Sequence, residues 1–378
     1  MSLGTIAREW GRIGCIGFGG PPTHIALLRR LCVDKRGWLP ATEFEDAIAA
    51  TNLLPGPAST QLAILCAWRL RGVTGAVIGG LCFIVPGLVL ILALSAVVLG
   101  SHPPHWIVGA AAGAGAAVPA VALKAASGLV PASWTRAGNT RAQRQRWVLY
   151  AVVGASAAVA VGAYLVLGLV LCGVVELVIR SKRPPMIRGP AVAAVVGHAG
   201  VMGGLAALVW VALKVGALSY GGGFVIVPLM QHDVVTTYHW MTGAKFLDAV
   251  ALGQITPGPV VQTVAVVGYA ARGVGGGLLA ALVVFTPSFL FVIFGGPRFH
   301  QVRSNGSVQA FLSGAGPASI GAIAGSSVSL GLTLEHLWQI PVLVGALLWV
   351  FVARQSVVSG LVVAGAVGAV LSLTGVPL

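Results

Sequence analysis

Two short stretches of this sequence interrupt their surroundings in the same way. "NLLPGPASTQ" at 52–61 and "QITPGPVVQT" at 254–263 each place Pro-Gly-Pro inside a long apolar run. Proline has no amide proton and its ring clashes with the preceding helical turn, so neither stretch is expected to continue a helix. A helix beginning just beyond such a break presents unbonded amides and the positive end of its dipole to the turn. Two such ends facing each other would make a site for an anion. The candidate residues are Asn52, Pro55, Gly56, Pro57, Ser59, Thr60 and Gln61 at the first break, and Thr256, Pro257, Gly258, Pro259, Gln262 and Thr263 at the second. The glycines allow a ligand to approach the backbone, and the hydroxyls and amides add donors. The competing reading, that Ser59 and Thr60 only cap a helix, is weakened by the recurrence.

A second pair of stretches, "GFGGPPTH" at 17–24 and "SYGGGFVI" at 219–226, contributes Phe18, Gly19, Gly20, Pro21 and His24, and Tyr220, Gly221, Gly222 and Gly223. Glycine pairs in membrane helices also serve as packing contacts. These glycines, however, follow closely on Arg12 and Lys214, and a cation inside an apolar segment is by default a functional-site hypothesis. Arg12, near the N-terminus, has room to reach the interface; Lys214, within "ALVWVALKVGALSYGG", has less. A lone histidine such as His24 is more often structural than catalytic. Asp46 and Asp248 each lie nine residues before the first proline of a break, with Glu43 and Glu45 beside the first. Glu43, Asp46 and Asp248 are the candidates for carrying a coupling proton or for pairing with a cation. "LPATEFEDA" also reads as a helix start capped by Thr42, which gives its acids an ordinary helix N-terminal role.

The elements that position these residues are membrane helices. Of 378 residues, 57% are hydrophobic and 8% charged, and the mean hydropathy is +0.93. A soluble domain carries about 25% charged residues. Several apolar stretches exceed about 18 residues, the length that spans a bilayer. The net charge of +14 does not indicate nucleic acid, because the basic residues sit in short loops between apolar segments. No secretory signal pattern opens the chain. The five cysteines show no close spacing and read as small buried apolar residues. Without a nucleotide fingerprint, paired cysteines or a metal-ligand cluster, no catalytic residue, metal or cofactor is expected.

The chain repeats. Residues 18–57 overlay 220–259: Trp38 meets Trp240, Phe44 meets Phe246, Asp46 meets Asp248, and the two Pro-Gly-Pro breaks coincide. One residue is then lost, after which Arg71-Gly72-Val73 meets Arg272-Gly273-Val274 and Pro86 meets Pro287. The division is 1–180, a basic linker at 181–190, and 191–378. Loop charge distinguishes the halves. Arg29, Arg30, Lys35, Arg36, Arg69, Arg71, Arg136, Arg141, Arg144 and Arg146 occupy one set of loops in the first half, whereas the equivalent set in the second holds only Arg272. Arg298, Arg303 and Arg354 reverse the bias in the remaining loops. Lys and Arg favour the cytoplasm, so the halves are expected to be inserted in opposite directions. The expected fold is an all-α polytopic membrane protein of two inverted-topology repeats, with broken or re-entrant helices at the PGP motifs and a site near mid-membrane between the repeats. Each half is expected to make about five full crossings plus one broken pair. Residues 147–179 read either as two short helices around Gly162-Ala163-Tyr164 or as one long tilted helix.

The "FGGP" near the N-terminus, "PGP" followed by Ser-Thr-Gln, the later "GGGF" and the second "PGP" followed by Gly268-Tyr269 resemble the chromate ion transporter family in its long-chain, two-domain form. The resemblance covers nearly the whole chain. It implies export of chromate across the bacterial inner (cytoplasmic) membrane, with sulfate as the look-alike dianion and chromate resistance as the outcome. It also implies functional roles for Phe18, Gly19, Gly20, Pro21, Pro55, Gly56 and Pro57, and for Gly221, Gly222, Gly223, Pro257, Gly258 and Pro259. Gly223 stands where the first half has Pro21, so the second element is expected to be less rigid. An anion-selective channel is the alternative, since inverted broken helices build both. The expected partners are the anion and the lipid bilayer, with no nucleic acid; a homodimer is compatible with this reading.

Overall fold

The computed structural model describes residues 1–52, 56–100, 103–160, 165–180, 203–219, 225–295 and 305–376. Among them every regular element is helical. In chain order α1 is Leu3–Ile16, α2 Pro21–Arg29, α3 Ala41–Thr51, α4 Ala58–Val98, α5 His105–Ala137, α6 Arg141–Ala160 and α7 Leu165–Arg180. Beyond the linker, which lies outside the described residues, α8 is Gly204–Leu218, α9 Ile226–Gln231, α10 Gly243–Ile255, α11 Thr263–Gly295, α12 Gly306–Gly331, α13 Gln339–Leu347 and α14 Val357–Leu373. The same order appears twice. α2 and α9 each run on into a wide π-helical turn, Arg30–Lys35 and His232–Thr237, at equivalent positions. Residues 147–179 fall in two helices, α6 and α7, while Gly162, Ala163 and Tyr164 lie outside the described residues.

α4 and α11 are not single rods. Arg71 (φ −148°, ψ 26°) and Gly72 (φ 61°, ψ −150°) leave helical geometry, and so do Arg272 (φ −151°, ψ 28°) and Gly273 (φ 62°, ψ −156°). The positive φ explains the glycine at both turns. Each helix is therefore a hairpin. A Cβ built on Gly75 would lie 2.4 Å from Ala67 O, and one on the equivalent Gly276 2.2 Å from Gly268 O, so the legs touch through their backbones. The first leg of α4, 58–70, is about 20 Å long and the second, 74–98, about 37 Å. Only the second spans a hydrocarbon layer of about 30 Å. α3 and the short leg stand on either side of the Pro-Gly-Pro break in the sequence.

Two local expectations differ from the structure. Thr42 does not cap α3; the helix starts at Ala41, with Pro40 in the cap position. Proline's fixed φ, −59° here, sets the chain on a helical path one residue earlier. The repeat counterpart of Pro40, Thr242, does cap α10 by accepting from Lys245 N–H. Nor are all five cysteines buried: Cys15 is exposed and Cys82 half-buried. Both lie on the apolar outer surface, where a polarizable thiol is at home in hydrocarbon. Cys32 and Cys66, distant in sequence, are buried against each other as a hydrogen-bonded pair.

Among the described residues three helices are long and apolar enough to cross a bilayer: α4, α5 and the stretch Val260–Gly295. α8, Gln339–Val352 and α14 are shorter apolar helices. Leu282 and Phe294, 69% and 70% exposed, belong to an outward apolar surface that only lipid would cover. The chain is a multi-pass membrane protein.

Candidate functional site

Each half lays its glycine-rich turn against the other half's break. Gly56 N–H donates to Ser219 O (2.8 Å), and Gly258 N–H donates to Gly17 O (3.0 Å). Residues 17 and 219 are repeat equivalents, as are 56 and 258, so the two bonds are the same contact made reciprocally. Gly56 (φ 116°) and Gly258 (φ 94°) both need the left-handed backbone region that glycine tolerates. Gly19 and Gly20 also have positive φ, and Pro21 then opens α2, as a proline at the first helical position should. A Cβ on Gly20 would meet Val260 Cγ2 at 3.4 Å, which places the first half's glycine turn beside the start of the second half's broken helix.

The long legs complete the enclosure. A Cβ on Gly87 would lie 2.1 Å from Pro257 O, so the second leg of α4 abuts the second break. Gln262 Nε2 donates to Ile84 O on the same leg (2.7 Å). The two long legs cross antiparallel: Gly80 faces Phe289, and Leu92 faces Gly277.

Where the polar groups go is unequal. His24 is fully buried and bonds Gly17 O through Nε2 (2.9 Å) and Ser59 Oγ through Nδ1 (3.3 Å). A carbonyl only accepts, so Nε2 carries the proton, and Ser59's hydroxyl donates to Nδ1. Thr256 Oγ1 donates to Leu252 O and Thr263 Oγ1 to Val260 O, so both hydroxyls are satisfied within their own chain segment. In contrast Thr60 Oγ1, Ser219 Oγ, Ser288 Oγ and Gln254 Nε2 are buried and have no hydrogen-bond partner among the described residues. All four are capable donors. Thr60 stands on the first turn of the leg that opens after Pro57, where no side chain caps the helix. Ser219 is the residue whose carbonyl holds Gly56. Ser288 takes the repeat position of Gly87, and Gln254 that of Asn52. A buried polar group left unpaired costs about 1–3 kcal/mol, and the acceptor Gln262 Oε1 at the second break is likewise without a partner among the described residues.

The charged candidates are placed differently from expectation. Arg12 is not an isolated cation in the apolar interior: its side chain is 63% exposed, 3.9 Å from Glu9, whose carboxylate also receives Arg8 and Arg36. Nor is Lys214 isolated; it is ion-paired with Asp233, which lies in the second π-helical turn. Sequence spacing gave no hint of this pair, because the partners are nineteen residues apart on elements joined by the glycine turn. Phe18 is 42% exposed. Glu43 is ion-paired with Arg69, tying α3 to the short leg of α4 near its hairpin bend. Pro55, Tyr220, Gly221, Gly222 and Gly223 lie outside the described residues.

Two cavities with charged and polar residues on their borders lie between repeat-equivalent helices, one beside the first break and the other at the N-terminal half of α10. One, about 150 Å³, is bordered by Asn52, Ser133, Arg136 and Ser319. The other, about 370 Å³, is bordered by Asp248, Lys245, Glu335, His336 and Gln339. Gly115 lets the Asp248 carboxylate lie against α5, since a Cβ there would sit 3.0 Å from Oδ1. Asp46, the repeat counterpart of Asp248, is half-buried on α3. Sequence reasoning overlooked Ser219, Ser288 and Gln254; the available signal was their position beside the Pro-Gly-Pro and Pro86/Pro287 matches.

A family model described as "Chromate transporter" matches residues 4–177 and 206–371. The chain is 32% identical over 330 residues to the chromate transport protein of Cupriavidus metallidurans, covering 84% of this chain and 80% of that protein. It is 30% identical over 353 residues to the probable chromate transport protein of Synechococcus elongatus, covering 89% and 86%. It is 30% identical over 347 residues to the chromate transport protein of Pseudomonas aeruginosa, covering 87% and 81%. No solved structure matches. A membrane fold with two apposed helix breaks, matched by this family along both halves, is a transporter rather than an enzyme: the chain belongs to the chromate transporter family.

Proposed function

We propose that this chain is a secondary transporter that exports chromate across the bacterial cytoplasmic membrane, with sulfate as the competing tetrahedral dianion. The observation that carries the reading is the reciprocal pair of bonds from the break glycines Gly56 and Gly258 to Ser219 and Gly17 of the other half, with four buried donors around them that have no partner among the described residues. The names of the curated relatives support chromate as the cargo. A dianion in a low-dielectric interior needs positive potential and hydrogen bonds. Here two helix N-termini, the hydroxyls of Thr60, Ser219 and Ser288, and the Gln254 amide are the groups proposed to supply them.

The antiparallel crossing of the two long legs supports an inverted arrangement, because a two-fold axis that reverses equivalent helices lies in the membrane plane. In that arrangement the two polar cavities open to opposite sides, and rocking of one half against the other exposes the central site to each in turn. Asp248, facing the larger cavity, is the proposed coupling group. The deciding experiment is chromate and sulfate flux in proteoliposomes under separately imposed pH and voltage gradients. Saturable chromate flux that accumulates against its gradient supports the carrier. Flux that only dissipates a gradient and shows no saturation rejects it in favour of a channel.

A further inference from the structure

We propose that the start of α6 is a binding site for the phosphodiester headgroup of an anionic phospholipid. The loop between α5 and α6 is built rather than loose. Thr140 N–H donates to Gln143 Oε1 (3.1 Å) and Gln143 N–H donates to Thr140 Oγ1 (3.3 Å), a reciprocal cap that fixes where α6 begins. Arg141 and Arg144 follow in the first turn. A helix N-terminus disfavours cations, so these two guanidiniums stand where the helix dipole repels them.

Neither has a carboxylate partner among the described residues. The nearby carboxylate, Glu176, is already taken by Arg146 (2.8 Å), Arg180 (2.6 Å) and the Tyr150 hydroxyl (3.1 Å). Arg144 instead stacks over the Trp134 ring at 5.5 Å, and Trp134 meets Trp147 edge-on at 5.1 Å. A stacked guanidinium keeps its N–H edge free for a phosphate oxygen. Trp134, Asn139, Arg141, Arg144, Gln145 and Val148 border a cavity of about 450 Å³.

The occupant is identified by what continues from this cavity. Arg141, Arg144, Gln145, Val148 and Val152 recur at three- and four-residue spacing, so they share one face of α6. Along it the face changes from two cations, past an interfacial tryptophan, to valines that are 47% and 55% exposed. A free anion would use only the basic end. A phospholipid uses all of it, with the phosphodiester on the arginines, the glycerol level at Trp134 and an acyl chain along Val148 and Val152.

The test uses the purified full chain in neutral detergent and reads thermal midpoint and lipid retention by native mass spectrometry. The probes are phosphatidylglycerol, phosphatidylcholine and inorganic phosphate. Phosphatidylglycerol is expected to raise the midpoint and to remain bound, with phosphatidylcholine and phosphate doing neither. R141Q/R144Q is expected to abolish that increment while keeping the lipid-free midpoint, because both side chains are exposed. Asn139→Asp, which offers the arginines an internal counter-ion, is expected to reduce it as well. An equal increment from phosphatidylcholine, an equal increment in the double variant, or reproduction of the increment by phosphate alone would each overturn the proposal. The readout is lipid binding, so it stands or fails independently of the transport reading.

Discussion

At the scale of single residues, the unpartnered donors separate function from stability. Thr60→Val and Ser288→Ala each remove a buried hydroxyl that has no hydrogen-bond partner among the described residues. Removing an unsatisfied buried polar group relieves a penalty of about 1–3 kcal/mol, so both variants are expected to melt at or above the wild-type temperature. If those hydroxyls receive the anion, chromate flux falls in the same proteins. Melting of the purified variants beside flux in proteoliposomes checks both halves of this expectation, and undiminished flux removes the hydroxyls from the site. Lys214 needs a different design. Lys214→Met strands the half-buried Asp233 carboxylate, and losing a charged hydrogen-bond partner costs about 1.5–3 kcal/mol. The single variant is therefore expected to lose stability whatever its role in binding. Lys214→Met combined with Asp233→Leu is expected to recover most of that loss, and chromate affinity measured in the recovered protein then reports on the lysine charge alone.

At the scale of elements, the breaks and the hairpins were legible to different degrees. Two prolines flanking a glycine in an apolar run announce a stop in the helix from covalent chemistry alone. The alignment of Arg71-Gly72 with Arg272-Gly273 was equally visible, and the basic residues marked a loop after each break. What the sequence did not show is the turn's form, a shared positive φ at the glycine on which both helices double back. Pairings across the fold were not legible either: nothing in sequence spacing joins Gly56 to Ser219, Gly258 to Gly17 or Lys214 to Asp233. The hairpins yield a clean test. At Gly72 and Gly273 an added Cβ meets nothing within 4 Å, so a substitution there is opposed by backbone conformation and not by space. Gly72→Ala and Gly273→Ala are each expected to destabilise by about 1–2 kcal/mol, the cost of the left-handed region for an L-residue. Matching shifts of the melting temperature in the two variants would agree with two equivalent turns. A shift in only one would mean that their surroundings differ in a way the backbone angles conceal.

At the scale of the whole molecule, the arrangement of the two halves decides how the site is used. If the halves are inverted, equivalent loops face opposite compartments. The reason to expect this combines two independent observations. The first half's loops carry ten Lys and Arg where the second half's equivalents carry one. The second legs of α4 and α11, equivalent by sequence, cross antiparallel. Gln145, on the first turns of α6, and Leu337, 85% exposed in the segment between α12 and α13, are suitable reporters of the two sides. Each would be changed to cysteine in a background without the five native cysteines, so that the introduced thiol alone reports. A membrane-impermeant thiol reagent added to intact cells is expected to modify the cysteine at 337 and to reach the one at 145 only after the membrane is opened. The positive-inside bias fixes that sign, because the basic loop at 145 belongs to the cytoplasm. Labelling of both positions from the same side would mean that the repeat is parallel. The two polar cavities would then open to one compartment, and alternating exposure of a central anion would require a motion other than rocking one half against the other.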